Sequence, residues 1–294
     1  MRRPIYGGIL LFGAAFLWGI GFYAQRVSID ALPPLTATAL RMVLALPVVL
    51  LALPWCARRG PLPWGTGFVL GSLLYAVFAL QAVAMLYTPV SRVALIAGLY
   101  VVITPLLQPL FDQGRPKPVQ ILAAFIAFVA PALLCGVLGD PRALATAPNV
   151  GDALMLAMAL VSAICVLLIG RFAAAHDPVA LNAVQIFVMT MWSILSVAVF
   201  ETVPPLSGLP PAAWWSLAYL ALFSTIVAFL LQLLGQRELA PSPATIIMLE
   251  APVGVFAAVA LLGETMARVQ WIGASLALLA VALAIVGERR SGNG

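Results

Sequence analysis

Ten stretches of about twenty mostly apolar residues dominate this sequence, and a helix of that length crosses the hydrocarbon core of a bilayer. They cover roughly 5–25, 34–55, 64–86, 90–111, 118–138, 150–170, 178–200, 212–235, 242–263 and 269–287 of the 294 residues. The runs are unbroken and do not alternate between two faces, which excludes a membrane β-barrel. Composition closes the soluble alternatives. Hydrophobic types make up 64% of the chain and charged types 9%, against about 25% charged in an ordinary soluble domain. A globule of this size has too little interior to hide so much apolar surface. A soluble enzyme, a disordered chain and a nucleic-acid binder are excluded together.

The gaps between the runs carry turn chemistry, as at Leu32-Pro33-Pro34, Arg58-Arg59-Gly60-Pro61, Asp112-Gln113-Gly114-Arg115-Pro116 and Pro204-Pro205. They are too short for an extramembrane domain. The expected fold is therefore an all-α polytopic membrane protein with ten transmembrane helices, its first partner the lipid bilayer. The net charge of +5 reads as orientation, because the basic residues punctuate the loops. Arg2, Arg3, Arg58, Arg59, Arg115, Lys117, Arg171, Arg237, Arg289 and Arg290 fall on the side of the N-terminus; Arg26, Arg92, Arg142 and Arg268 fall on the other. The positive-inside bias predicts that both termini are cytoplasmic, and the expected location is a bacterial-type inner membrane. Met1-Arg2-Arg3 before an apolar run looks like a signal peptide, but no small-residue cleavage site follows, and it reads as an uncleaved first helix. Cys56, Cys135 and Cys165 are odd in number and lack metal spacing, so they read as core or lipid-facing residues without a disulfide.

The chain repeats itself. Val119-Gln120-Ile121-Leu122-Ala123 opens span five and Val269-Gln270-Trp271-Ile272-Gly273 opens span ten, an offset of 150. The same offset aligns Ala97-Gly98-Leu99-Tyr100-Val101 with Ile247-Met248-Leu249-Glu250-Ala251, and Pro34 to Arg41 matches Pro178 to Gln185 at an offset of 144. This divides the chain into repeats at 1–143 and 144–294, five helices each. An odd count makes the second copy enter from the opposite side. Two inverted five-helix repeats are a transporter architecture, since halves of opposite orientation can exchange conformations and turn an outward-open cavity inward.

With these features the sequence resembles the drug/metabolite transporter superfamily, in its EamA-type branch of ten-helix exporters. The resemblance covers nearly the whole chain. It is carried by the tandem five-helix units, Pro34 to Leu40-Arg41 opening span two, and Tyr87-Thr88-Pro89-Val90-Ser91-Arg92 leading to Gly98-Leu99-Tyr100. Leu249-Glu250-Ala251-Pro252-Val253 leading to Leu262-Gly263-Glu264, and a mid-chain junction at Asp140 to Leu154, add to it. It implies a secondary transporter that exports a small amphipathic metabolite by alternating access, with no cofactor. Amino acids, aromatic ones included, and related compounds are candidates; Trp18 and Tyr100 suit the YddG-type aromatic amino-acid exporters. Alternatives are an exporter of toxic organic cations and a passive channel or facilitator. The second half reads Leu239-Ala240-Pro241-Ser242-Pro243-Ala244-Thr245 where the family has Thr-Ser-Pro-x-Arg-Ala, so a role for that Arg does not transfer.

Ionisable groups inside spans are costly and mark function. Arg41 lies about seven residues into span two, about 10 Å deep, and Glu250 about eight residues into span nine, about 12 Å deep. Their heights differ by about 8 Å in a core of about 30 Å, so a direct ion pair is not the default. Arg41 either snorkels to the periplasmic interface or caps a neighbouring helix end, or it anchors a substrate carboxylate. Glu250 is either a protonated packing group or a proton-coupling group or counter-charge to a substrate amine. The repeat sets Tyr100 opposite Glu250 and Gln185 opposite Arg41. Trp18, Tyr75 and Gln81 complete the candidate substrate-binding set, as aromatic walls and placed polar groups. Gln232 and Trp192 also lie within spans, and Trp55, Trp64, Trp214, Trp215 and Trp271 near span ends read as an interfacial belt. Gly67 and Gly71 suggest close helix packing. Gly139-Asp140 and Gly151-Asp152 faintly resemble intramembrane protease motifs, but sit near span ends beside a loop; His176 has no companion ligands, so neither catalysis nor a metal is expected. The oligomeric state is expected to be a monomer or homodimer.

Overall fold

The structure is a computed structural model that describes residues 4–88, 93, 96–111, 118–134 and 150–238, with scattered positions between 253 and 283. Glu250, Asp140, Cys135 and Pro252 lie outside the described residues, as do nearly all of span nine and about half of span ten. The described elements are helical: α1 (Pro4–Ala31), α2 (Pro34–Ala57), α3 (Trp64–Ala84), α4 (Tyr100–Leu107), α5 (Pro118–Leu134), α6 (Val150–Phe172), α7 (Pro178–Phe200) and α8 (Pro211–Glu238). Six of them, α1 to α3 and α6 to α8, are long and apolar enough to cross a membrane. The protein is an all-helical membrane protein.

Helix ends follow local chemistry. Proline opens α2 and α7, where its missing N–H costs no bond. Asp177 caps α7 by accepting from the Ala180 amide at 2.9 Å. Glu201, just past the end of α7, caps a different helix: its carboxylate accepts from the Leu35 amide at 3.0 Å, the Thr36 amide at 2.7 Å and the Thr36 hydroxyl at 2.8 Å. Those amides open α2, where the helix dipole favours an anion.

Three boundaries differ from the sequence expectation. α1 runs past residue 25 to Ala31 because Arg26 and Asp30 pair one turn apart, Nη2 to Oδ1 at 2.8 Å. Arg26 is thus a helix residue and not a loop residue. α8 likewise reaches Glu238, taking Arg237 into its last turn. Span four is not one smooth helix. A turn at Gly98-Leu99 precedes α4, which holds Pro105 and closes in a 3₁₀ turn, Gln108–Phe111, holding Pro109. Prolines lack the N–H needed to continue the ladder.

α2 packs along α7, α3 packs against both α6 and α7, and α1 packs against α8. Exchanging the first five-helix unit for the second turns the α3–α6 contact into α8–α1 and returns α2–α7 to itself. This is the packing of two related halves around a pseudo-two-fold axis. Missing side chains set the closest approaches. A Cβ on Gly71 would sit 2.6 Å from the Gln185 carbonyl oxygen of α7, and one on Gly235 2.7 Å from Leu11 Cγ of α1. Cys56 and Cys165 are free and buried.

Candidate functional site

α8 is not uniform. Between its α-helical ends, Pro211–Tyr219 and Ala228–Glu238, the backbone widens into a π-helix over Leu220–Val227. Such wide turns free backbone carbonyls and recur at functional sites. Here three of the segment's carbonyls take a side-chain donor. The Thr225 hydroxyl donates to the Leu220 carbonyl at 2.8 Å, five residues back. The Ser224 carbonyl accepts from Trp18 Nε1 at 2.9 Å, and the Ile226 carbonyl accepts from Asn182 Nδ2 at 3.0 Å.

The hydroxyls of this segment hold Arg41. Its Nε donates to Thr225 Oγ1 at 2.6 Å, Nη2 to Ser224 Oγ at 3.1 Å and Nη1 to Gln25 Oε1 at 3.3 Å. The guanidinium carbon lies 4.2 Å from the centre of the Phe78 ring. Arg41 is 2% exposed, so it does not snorkel to the interface. No carboxylate pairs with it among the described residues. Hydrogen bonds to a charged group contribute about 1.5–3 kcal/mol each, and burying an unpaired ion costs several kcal/mol. Three neutral acceptors and a ring soften that cost without neutralising the charge. A guanidinium has five N–H groups, so two remain after these three bonds.

Arg41 borders a central cavity, which Trp18, Gln25, Gln81, Tyr100, Ser162, Ser224 and Gln232 also line. Its aromatic wall is continuous: Trp18 meets Phe229 edge-on with centroids 5.5 Å apart, and Phe229 meets Phe78 at 5.8 Å. The remainder is apolar, including Phe22, Leu74 and Val77. A mostly apolar chamber with a few convergent polar groups and one cation fits a small amphipathic anion or zwitterion.

Of the candidate residues, the structure brings Trp18, Arg41, Gln81 and Tyr100 together around this cavity. Tyr75 stacks on Trp192, with centroids 6.4 Å apart, and is not among the lining residues. Gln185 is fully buried and also outside the lining. Its Nε2 donates to Asn182 Oδ1 at 3.0 Å, and Asn182 in turn holds the Ile226 carbonyl, so Gln185 supports the π-segment from behind. Glu250 lies outside the described residues.

Sequence reasoning passed over Phe78, Phe229 and Gln25, and over Ser224 and Thr225. A signal for the phenylalanines was present. Phe78-Ala79-Leu80-Gln81 on α3 and Phe229-Leu230-Leu231-Gln232 on α8 repeat the same Phe-x-x-Gln pattern at an offset of 151. All four Phe and Gln residues line the cavity. The 144 offset does the same for α1 and α6: Trp18 matches Ser162, Gly21 matches Cys165 and Phe22 matches Val166, and all six line it. The chamber wall is built from repeat-related positions. Nothing in the sequence marks the π-segment except a Ser-Thr pair inside an apolar run.

Elsewhere the polar groups have structural surroundings. Asp152 is buried and accepts from Thr88 Oγ1 at 3.5 Å. His176 lies beside Phe172 in the turn after α6, its Nδ1 3.1 Å from the Phe172 carbonyl. Among the described residues, no three His, Cys, Asp or Glu side chains gather as a metal site.

Known proteins agree with the architecture. The EamA-like transporter family matches residues 5–136 and again 149–286, once in each half. An uncharacterized transporter of Archaeoglobus fulgidus is 29% identical over 282 residues, covering 95% of this chain and 85% of that protein. The uncharacterized transporter YyaM of Bacillus subtilis is 25% identical over 286 residues, covering 93% and 91%. A solved crystal structure superimposes with a TM-score of 0.77 over 95% of this chain and 97% of its own, at 20% identity, a likeness of fold. Two matched segments that span both five-helix units leave one conclusion: the chain belongs to the EamA-like transporter family, and is a multi-pass membrane transporter and not an enzyme.

Proposed function

We propose that the protein is a secondary transporter that exports a small amphipathic metabolite bearing a carboxylate, an amino acid or a close relative, across the inner membrane by alternating access. Both termini face the cytoplasm in this reading. The observation that carries it is Arg41: a buried guanidinium with three neutral partners and two unused N–H groups, at the end of an aromatic wall in the central cavity. A carboxylate accepts both N–H groups at once in the fork geometry that arginine favours. Trp18, Phe78 and Phe229 offer edges and faces to an apolar or aromatic substrate body. The same cation repels organic cations, which places that alternative second. Glu250 is the proposed proton-coupling group, since a carboxyl at membrane depth exchanges a proton more readily than it carries a charge.

Counterflow in proteoliposomes tests the reading. Amino acids and simple carboxylates should show saturable exchange with trans-stimulation, which a channel does not give. Uptake of quaternary amines in preference to carboxylates would overturn the anionic assignment. Glu250→Gln should abolish dependence on a pH gradient while leaving exchange intact; unchanged gradient dependence would remove Glu250 from coupling.

A further inference from the structure

The cavity holds a second polar pole that Arg41 does not explain. Gln232 borders it, is 4% exposed, and its Oε1 is buried with no hydrogen-bond partner among the described residues. An unpaired buried acceptor is uncommon and calls for a cause. Gln185 and Gln236 also carry one, but neither lines the cavity. Gln232 therefore combines an unmet acceptor with a place in the chamber wall. Its terminal amide turns about a soft torsion, so the oxygen can face the cavity when a donor arrives.

Position and symmetry give the donor its chemistry. Seven residues separate Thr225, which holds Arg41, from Gln232, roughly 10 Å along α8 at 1.5 Å per residue. Side chains lean toward the N-terminus of their helix, so the Gln232 amide leans back toward the guanidinium. Its repeat partner Gln81, on α3, lines the same cavity, and Phe78 and Phe229 pack between the two helices that carry them. A substrate whose carboxylate sits on Arg41 thus meets amide oxygens on its other side. Oxygens of that kind accept N–H bonds from an ammonium without adding charge. We propose that Gln232, with Gln81 as its repeat-related counterpart, holds the ammonium group of a zwitterionic amino acid and sets selectivity for amino acids over their des-amino acids.

This rests on the carboxylate reading of Arg41, and the experiment separates the two. Full-length protein in nanodiscs is titrated with matched pairs, L-phenylalanine with 3-phenylpropionate and L-leucine with 4-methylpentanoate. Wild-type protein should bind the amino acid of at least one pair tenfold or more tighter than its partner. Gln232→Leu should weaken the amino acid about tenfold and leave the des-amino acid within twofold. Gln232→Glu, which keeps an acceptor, should retain the preference; this variant also guards against a folding defect in the first. Equal loss of both members of a pair in Gln232→Leu, or a wild type that does not discriminate, overturns the proposal and leaves the carboxylate reading standing. Failure of wild-type protein to bind any of the four compounds removes both.

Discussion

α7 and α8 both carry buried hydroxyls, and they use them in opposite ways. On α7, Thr190 donates to the Ile186 carbonyl at 2.8 Å, Ser193 to the Met189 carbonyl at 2.8 Å and Ser196 to the Ser193 carbonyl at 2.8 Å. Each is satisfied within its own helix and presents only carbon to its neighbours. α7 packs closely on Gly67 and Gly71 of α3 through Val184, the Gln185 backbone and Val188. On α8 the hydroxyls of Ser224 and Thr225 reach across to Arg41 of α2, and the Ser224 carbonyl reaches Trp18 of α1. The first helix is a seam, the second a bracket around a cavity. Similar residues serve as packing material or as a site according to whether their oxygens also receive a bond from another helix.

Breaking the seam should have the largest effect. Gly71→Leu drives a side chain against the Gln185 backbone, and overpacking of this kind costs about 1–3 kcal/mol or more. Thermal unfolding in detergent should show a lowered midpoint and poor yield; a wild-type midpoint would mean that α3 and α7 separate without penalty. Breaking the bracket should instead spare the fold and remove ligand. Arg41→Ala should weaken carboxylate binding by about a hundredfold, about 2.7 kcal/mol, and Arg41→Lys should recover only part because it lacks the fork. Calorimetric titration of the purified protein reads both. Thr225→Val removes the acceptor that aims Arg41 Nε and should cost about tenfold in affinity, whereas Thr225→Ser should stay near wild type. If serine and valine behave alike, the hydroxyl plays no part in aiming the cation. Glu201→Gln should be the mildest. It weakens the cap on α2 and lowers stability by about 0.5–2 kcal/mol, with substrate affinity unchanged in the same titration.

The seam was more legible in the sequence than the bracket. Apolar runs located the spans, and the spacing of Gly67 and Gly71 pointed to close packing. The facing of side chains inside the spans was not legible. With 64% hydrophobic residues, most helices are apolar all round, and the periodicity that separates inside from outside is flattened. Tyr75 and Trp18 look alike in the sequence, yet one stacks on Trp192 and the other borders the cavity. Arg41 stood out because a charge in an apolar run is conspicuous. Its partners did not, because serine, threonine and glutamine are common enough in membrane helices to pass as packing. Phe78 and Phe229 were readable only through the repeat, at an offset one residue away from the one that aligns spans four and five with nine and ten.

The hydroxyl of Thr225 has a single proton, and the Leu220 carbonyl holds it. Its oxygen can then only receive from Arg41. Were α8 to tighten by one register into an ordinary α-helix, the amide of Ser224 would take the Leu220 carbonyl, and the threonine hydroxyl would turn to the Ala221 carbonyl four residues back, as Thr190 turns to Ile186. The oxygen that receives the guanidinium proton would move around the helix at the same moment. Helix winding and cation aim would then be linked: a ligand that prefers one aim of Arg41 would bias the winding of α8.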